Sequence, residues 1–161
     1  QYNAKVGNWA DNRVDPTNPD ENRENAFMWG WCNGAPGIAL ARIGTLDVFD
    51  NKTVRAQIET SVNATASQPH LRSDHLCCGN ASLGEVLLSA GEKYQHPSWK
   101  RAALKTTSTT ISRHTSEGGF TPHSVFNELF NPSLFQGSSG FGYHLLRLLE
   151  PADLPNILLL E

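Results

Sequence analysis

This chain has no excess of positive charge, no long apolar run and no even set of cysteines, and each absence excludes something. With 13 Lys and Arg against 16 Asp and Glu, the formal charge of −3 leaves no basic surface for a nucleic-acid backbone or an anionic membrane. No hydrophobic stretch approaches the roughly 20 residues of a membrane-spanning helix. The N-terminus also lacks a basic segment followed by an apolar one, so the expectation is a soluble chain with neither signal peptide nor anchor. Three cysteines, Cys32, Cys77 and Cys78, cannot all pair within one chain. That argues against a disulfide framework and for a reducing compartment, the cytoplasm, where clustered thiols bind metal or do chemistry. Asn51-Lys52-Thr53, Asn63-Ala64-Thr65 and Asn80-Ala81-Ser82 are then chance matches to the glycosylation pattern. An initiating Met is missing too; a start at Gln1 and an end at Glu161, directly after the apolar 157–160, give the expectation of a piece of something longer.

What is present suits one domain with a modest core: 161 residues, 39% of them apolar. Residues 1–25 are polar, broken by Pro16 and Pro19, and read as loop or linker; residues 26–161 form the domain. Helical spacing predicts helices over about 37–46, 51–66 (stripe Val54, Ile58, Val62), 81–90 closed by Gly91, 98–116 (stripe Trp99, Ala102, Ala103, Ile111) and 139–149. The Thr/Ser-rich middle of the fourth lowers its propensity. Residues 120–136 read as a proline-punctuated aromatic loop carrying Phe120, Phe126, Phe130 and Phe135.

Three helix starts repeat one pattern without gaps. Gly34-Ala35-Pro36-Gly37-Ile38, Gly79-Asn80-Ala81-Ser82-Leu83 and Gly137-Ser138-Ser139-Gly140-Phe141 each give glycine, two small residues, glycine or serine, and an apolar residue before a helix. Their starts are spaced as in a repeated helical hairpin. The fold class is therefore all-α, with glycine-started helices packed inside, Thr- and charge-rich helices outside, and the glycine loops at one common end.

Two of those loops hold all the sulfur: Trp29-Gly30-Trp31-Cys32-Asn33-Gly34 and Asp74-His75-Leu76-Cys77-Cys78-Gly79-Asn80. Helix N-termini favour anions, and thiolates are anions. Three soft ligands on two adjacent loops suit Zn2+, either closed by a fourth protein ligand or open to a guest. An open site would take a thiol and leave its sulfur nucleophilic. The residues alone leave other readings: inert buried thiols, a redox pair at Cys77 and Cys78, or a structural zinc using a histidine. His75 and His123 are placed to reach such a site as fourth ligand, orienting partner or acid/base. His70, His96, His114 and His144 read as solvated or hydrogen-bonded, and Trp29 and Trp31 as core.

Trp31-Cys32-Asn33-Gly34-Ala35-Pro36-Gly37, Leu76-Cys77-Cys78-Gly79-Asn80 and Leu134-Phe135-Gln136-Gly137-Ser138-Ser139-Gly140-Phe141-Gly142-Tyr143, with Leu154-Pro155-Asn156-Ile157-Leu158, together resemble the C-terminal part of a lanthionine synthetase C-like cyclase domain. The order suits bifunctional class II enzymes, in which this domain follows a dehydratase. The resemblance implies the last part of an α/α toroid of helical hairpins. It also implies zinc held by Cys32, Cys77 and Cys78, and a dehydrated precursor peptide as substrate. The peptide's cysteine adds to dehydroalanine or dehydrobutyrine, giving a lanthionine or methyllanthionine thioether.

Four departures qualify it. Cys78 stands where the family commonly has histidine, marking a three-cysteine branch; Ser82 replaces a loop glycine; Met28 stands where simpler cyclases tend to carry arginine. The acid/base histidine and acidic partner expected upstream lie outside the chain, so the isolated 161 residues are expected to be inactive and to expose apolar edges. The rival expectation from another class is a non-catalytic, zinc-stabilised helical-repeat module that binds a peptide or protein.

Overall fold

The computed structural model describes residues 2–13, 17, 26–117 and 130–160. A two-stranded antiparallel hairpin, β1 (Tyr2–Asn3) and β2 (Asn8–Trp9), comes first, with Tyr2 opposite Trp9 and Asn3 opposite Asn8. The helices α1 (Ala35–Gly44), α2 (Lys52–Ala66), α3 (Asn80–Lys93), α4 (Pro97–Glu117) and α5 (Ser138–Leu149) follow, and then a 3₁₀ turn over Ile157–Leu159. Each helix begins where its local chemistry allows. Pro36 occupies the first turn of α1, where its missing N–H costs nothing. Asn51 caps α2, its side chain accepting from Val54 N at 3.0 Å. The Thr-rich α4 is continuous, and Thr107, Thr109 and Thr115 satisfy their hydroxyls by donating to carbonyls four residues back.

Helix α1 packs on α2 and α3 on α4 as hairpins, and α3 also touches α1, α2 and α5. Of the glycine-started helices, α3 is the innermost. Helix α3 is buried at every position from Asn80 to Gly91 and supplies Val86, Leu87 and Leu88 to a core shared with Leu40, Ile58 and Val62. The fold is all-α, of the α/α toroid type, with α3 at its centre; α5 buries Gly140, Phe141, His144 and Arg147 and leaves Leu146 and Leu149 exposed.

Three details differ from the sequence pattern. Helix α3 does not stop at Gly91. A Cβ there would lie 2.6 Å from Lys100 Cγ and 3.0 Å from Lys100 N, so this glycine lets α3 approach α4, and the turn falls at Gln95 with φ 51°. Ile111 is 44% exposed; the buried stripe of α4 runs instead through Trp99, Ala103, Thr107 and Thr110, because polar side chains meet it. Thr110 bonds His70 and Thr107 bonds His144, both at 2.8 Å. Lastly, the hairpin lies within the stretch read as loop or linker. Its Gly7 has φ 70° and backs onto Thr60 and Ala64 of α2, and the Trp9 ring stacks under the guanidinium of Arg42 at 4.5 Å.

One ionic network ties α3 to α5. Glu85, 1% exposed, accepts from His144 Nδ1 at 2.7 Å and from Arg147 Nε at 2.9 Å. Gly84 leaves the room: a Cβ on it would lie 2.6 Å from His144 Nε2. A buried carboxylate shared by two donors is costly to form and costlier to break, since removing it strands both. Glu85→Ala is therefore expected to lower unfolding stability by about 3–5 kcal/mol in urea titrations followed by circular dichroism; a loss below about 1 kcal/mol would contradict the network's role.

Candidate metal centre

The first sulfur-bearing loop is a tight turn closed by its own backbone. Trp29 bridges Gly34, and Gly30 N donates to Asn33 O at 3.1 Å, leaving Cys32 exposed at the tip. Gly34, with φ 103°, has no alternative: a Cβ would fall 1.9 Å from Met28 O. Because glycine cannot cap α1 with a side chain, the cap comes from the hairpin. The buried Asn8 accepts from Ala35 N at 2.6 Å and donates to Met28 O at 2.8 Å.

The second loop turns around His75. Its carbonyl accepts from Gly79 N at 3.0 Å, and its Nδ1 accepts from Cys78 N at 3.1 Å. Asp74 anchors the turn by accepting from Asn80 Nδ2 at 2.8 Å and pairing with Arg113. The loops are then stitched together. The Cys77 carbonyl accepts from Trp31 N at 2.8 Å and Cys32 N at 3.3 Å, while Trp31 N also donates to Ser82 Oγ at 3.2 Å. Gly30 allows this approach, since a Cβ on it would sit 2.8 Å from Cys78 Cα. The third glycine loop brings no sulfur but braces the others: Phe135 O accepts from Cys77 N at 2.9 Å, and the Phe135 ring stacks on Trp31 at 5.3 Å.

The three predicted ligands do come together. The Sγ atoms of Cys32, Cys77 and Cys78 lie within 4.8 Å of one another, with Cys77 and Cys78 3.4 Å apart. A tetrahedral ion with metal–sulfur bonds of about 2.3 Å spaces its sulfurs by about 3.8 Å, so this group could hold a metal ion with small side-chain adjustments. Burial, together with the neighbouring cysteines, pushes the Cys78 thiol well up, and burial also raises Cys77. Without a cation these thiols stay protonated at neutral pH, and with one they ionise.

Of the two histidines expected near the site, His75 is buried with Nδ1 on the backbone of Cys78. His123 lies outside the described residues, as do Phe120 and Phe126. Trp31 is anchored rather than free, its Nε1 donating to Leu158 O at 2.9 Å. Sequence reasoning missed the hairpin's contribution altogether. Besides Asn8, Asp11 holds Arg13 through Nε at 2.8 Å and Nη2 at 2.7 Å, and the guanidinium lies against the Met28 sulfur. Those Arg13 hydrogen bonds bring the Asp11 carboxyl down from 3.8 to about 2. Only an Asp-x-Arg spacing in a polar stretch hinted at this pair.

Two outcomes follow from the geometry. Loading the cluster with a thiophilic metal ion should release protons, and its affinity should rise with pH, because Cys77 and Cys78 start protonated; titration calorimetry in buffers of different ionisation enthalpy measures both, and a pH-independent affinity would contradict it. Gly30→Ala should push the cysteine loops apart and weaken metal binding by about 10-fold or more, read by competition with a chromophoric chelator, while an unchanged affinity would show the close approach to be dispensable.

The described residues contain no helix long and apolar enough to cross a membrane. The model of the family described as lanthionine synthetase C-like protein matches residues 1–159, a span that includes the hairpin, the helices α1 to α5 and all three cysteines. The chain thus belongs to the lanthionine synthetase C-like family.

Proposed function

We propose that this domain is the thioether-forming cyclase of a lanthipeptide pathway, with Zn2+ held by Cys32, Cys77 and Cys78. The observation that carries this reading is the asymmetry of the cluster: three thiols converge from two loops, two of them half-buried, while Cys32 is exposed. Three protein sulfurs leave one tetrahedral position for a guest. Zinc bound there would favour the thiolate form of a peptide cysteine and keep its sulfur nucleophilic toward dehydroalanine or dehydrobutyrine.

The chain's own residues supply position. Cys77 and Cys78 are fixed from three sides by His75, Phe135 O and the Trp31 backbone, so the ligands are preorganised before any ion arrives. Within this reading His75 orients the Cys77-Cys78 turn, because its Nδ1 is occupied by the Cys78 N–H. The substrate is a dehydrated precursor peptide, supplied by a dehydratase that precedes this domain in the same parent chain, and the reaction belongs to the reducing cytoplasm.

The test is cyclisation of a peptide carrying one dehydroalanine and one cysteine, scored by mass spectrometry after alkylation of remaining thiols, with the parent protein. Cys78→Ala is expected to lose at least about a hundredfold in rate, the scale of a Lewis-acid contribution, along with its zinc. Full zinc stoichiometry in that variant, or undiminished ring closure, would remove Cys78 from the set.

A further inference from the structure

We infer that the three sulfurs also form a redox switch: a hydroperoxide converts them to a disulfide linking Cys32 to Cys77 or Cys78, and the bridged loops release the metal ion. The inference rests on the metal-site reading above and adds a regulation to it.

The backbone already brings the two loops to bridging distance. Cys32 N donates to the Cys77 carbonyl at 3.3 Å, and Gly30 lies so near Cys78 that a Cβ on it would sit 2.8 Å from Cys78 Cα. With all three Sγ atoms within 4.8 Å of one another, rotation of the side chains brings Cys32 onto either neighbour, and α1 and α3 stay where they are. Cys77 and Cys78 are nearer still, at 3.4 Å. Their Cα atoms, however, are fixed about 3.8 Å apart by the peptide they share, less than the roughly 4.4 Å that a relaxed disulfide spans. The strain of closing that small ring leaves the inter-loop bond as the favoured product.

Access sets the order of events. Cys32 is exposed while Cys77 and Cys78 are half-buried, so an oxidant arriving from water meets Cys32 first. Its thiolate attacks one peroxide oxygen; the O–O bond breaks, the leaving oxygen takes a proton, and Cys32 becomes a sulfenic acid. The sulfur of Cys77 or Cys78 then attacks Cys32 Sγ, the S–O bond breaks, and hydroxide departs to be protonated to water. The two sulfurs have lost two electrons and the peroxide has gained them. Once bridged they carry no charge and no longer hold the ion, since the thiolate is the ligand. The third thiol stays beside the bond and keeps it open to exchange, as a reversible, redox-sensing disulfide requires.

The test treats the zinc-loaded parent protein with a small excess of hydrogen peroxide. Released zinc is followed with a chromophoric indicator, and disulfides are mapped by mass spectrometry after digestion without reductant. Zinc should be lost in step with the appearance of a linked pair joining the Cys32 peptide to the Cys77-Cys78 peptide, and dithiothreitol should restore both the free thiols and zinc binding. Zinc held through the treatment, zinc lost without that link, or a bond between Cys77 and Cys78 that leaves Cys32 free would each overturn the switch and leave the metal site standing. A parent protein with no zinc at these cysteines before treatment would overturn both.

Discussion

The arrangement depends on one backbone oxygen. The Cys77 carbonyl accepts from Trp31 N and Cys32 N, which brings the two sulfur-bearing turns into register. That contact is possible only because Gly30 has no Cβ to strike Cys78, and because Gly34 reaches the φ that closes the first turn. Thiols on separate helix-start loops, far apart in sequence, thereby become neighbours. The third loop lacks sulfur but is not idle, since Phe135 O holds the Cys77 amide and its ring lies on Trp31.

Position at one end of the helices is maintained from within the array. Glu85 on α3 holds His144 and Arg147 on α5, while Thr107 on α4 bonds His144 Nε2. Buried polar groups of this kind fix relative placement more tightly than apolar contact, because any slip strands a charge. The network thus fixes α5 against α3, the helix that begins directly after Cys77 and Cys78.

The sequence pattern made the inner helices legible because α3 and its repeats combine glycine starts with apolar runs that burial later explains. Cys32, Cys77 and Cys78 were legible for the same reason: each sits directly before a repeated helix start. The cap and clamp were not. Asn8 and Arg13 lie in a polar stretch with no periodicity, and their partners, Ala35 and Met28, are more than a dozen residues away. Polar residues in irregular backbone act through tertiary contacts that no local pattern encodes. Ile111 was misplaced for the complementary reason: the stripe of α4 is completed by Thr107 and Thr110, whose burial depends on histidines from elsewhere.

The central claim is that three protein sulfurs surround one ion and leave a position that a thiol can take. Zinc-edge X-ray absorption on the zinc-loaded protein, before and after addition of a simple thiol, addresses it most directly. Three sulfur scatterers with one lighter neighbour, becoming four sulfurs when the thiol is added, is the predicted result. A fourth protein ligand that the thiol fails to displace would contradict it and mark the ion as a structural clamp of a helical-repeat binding module.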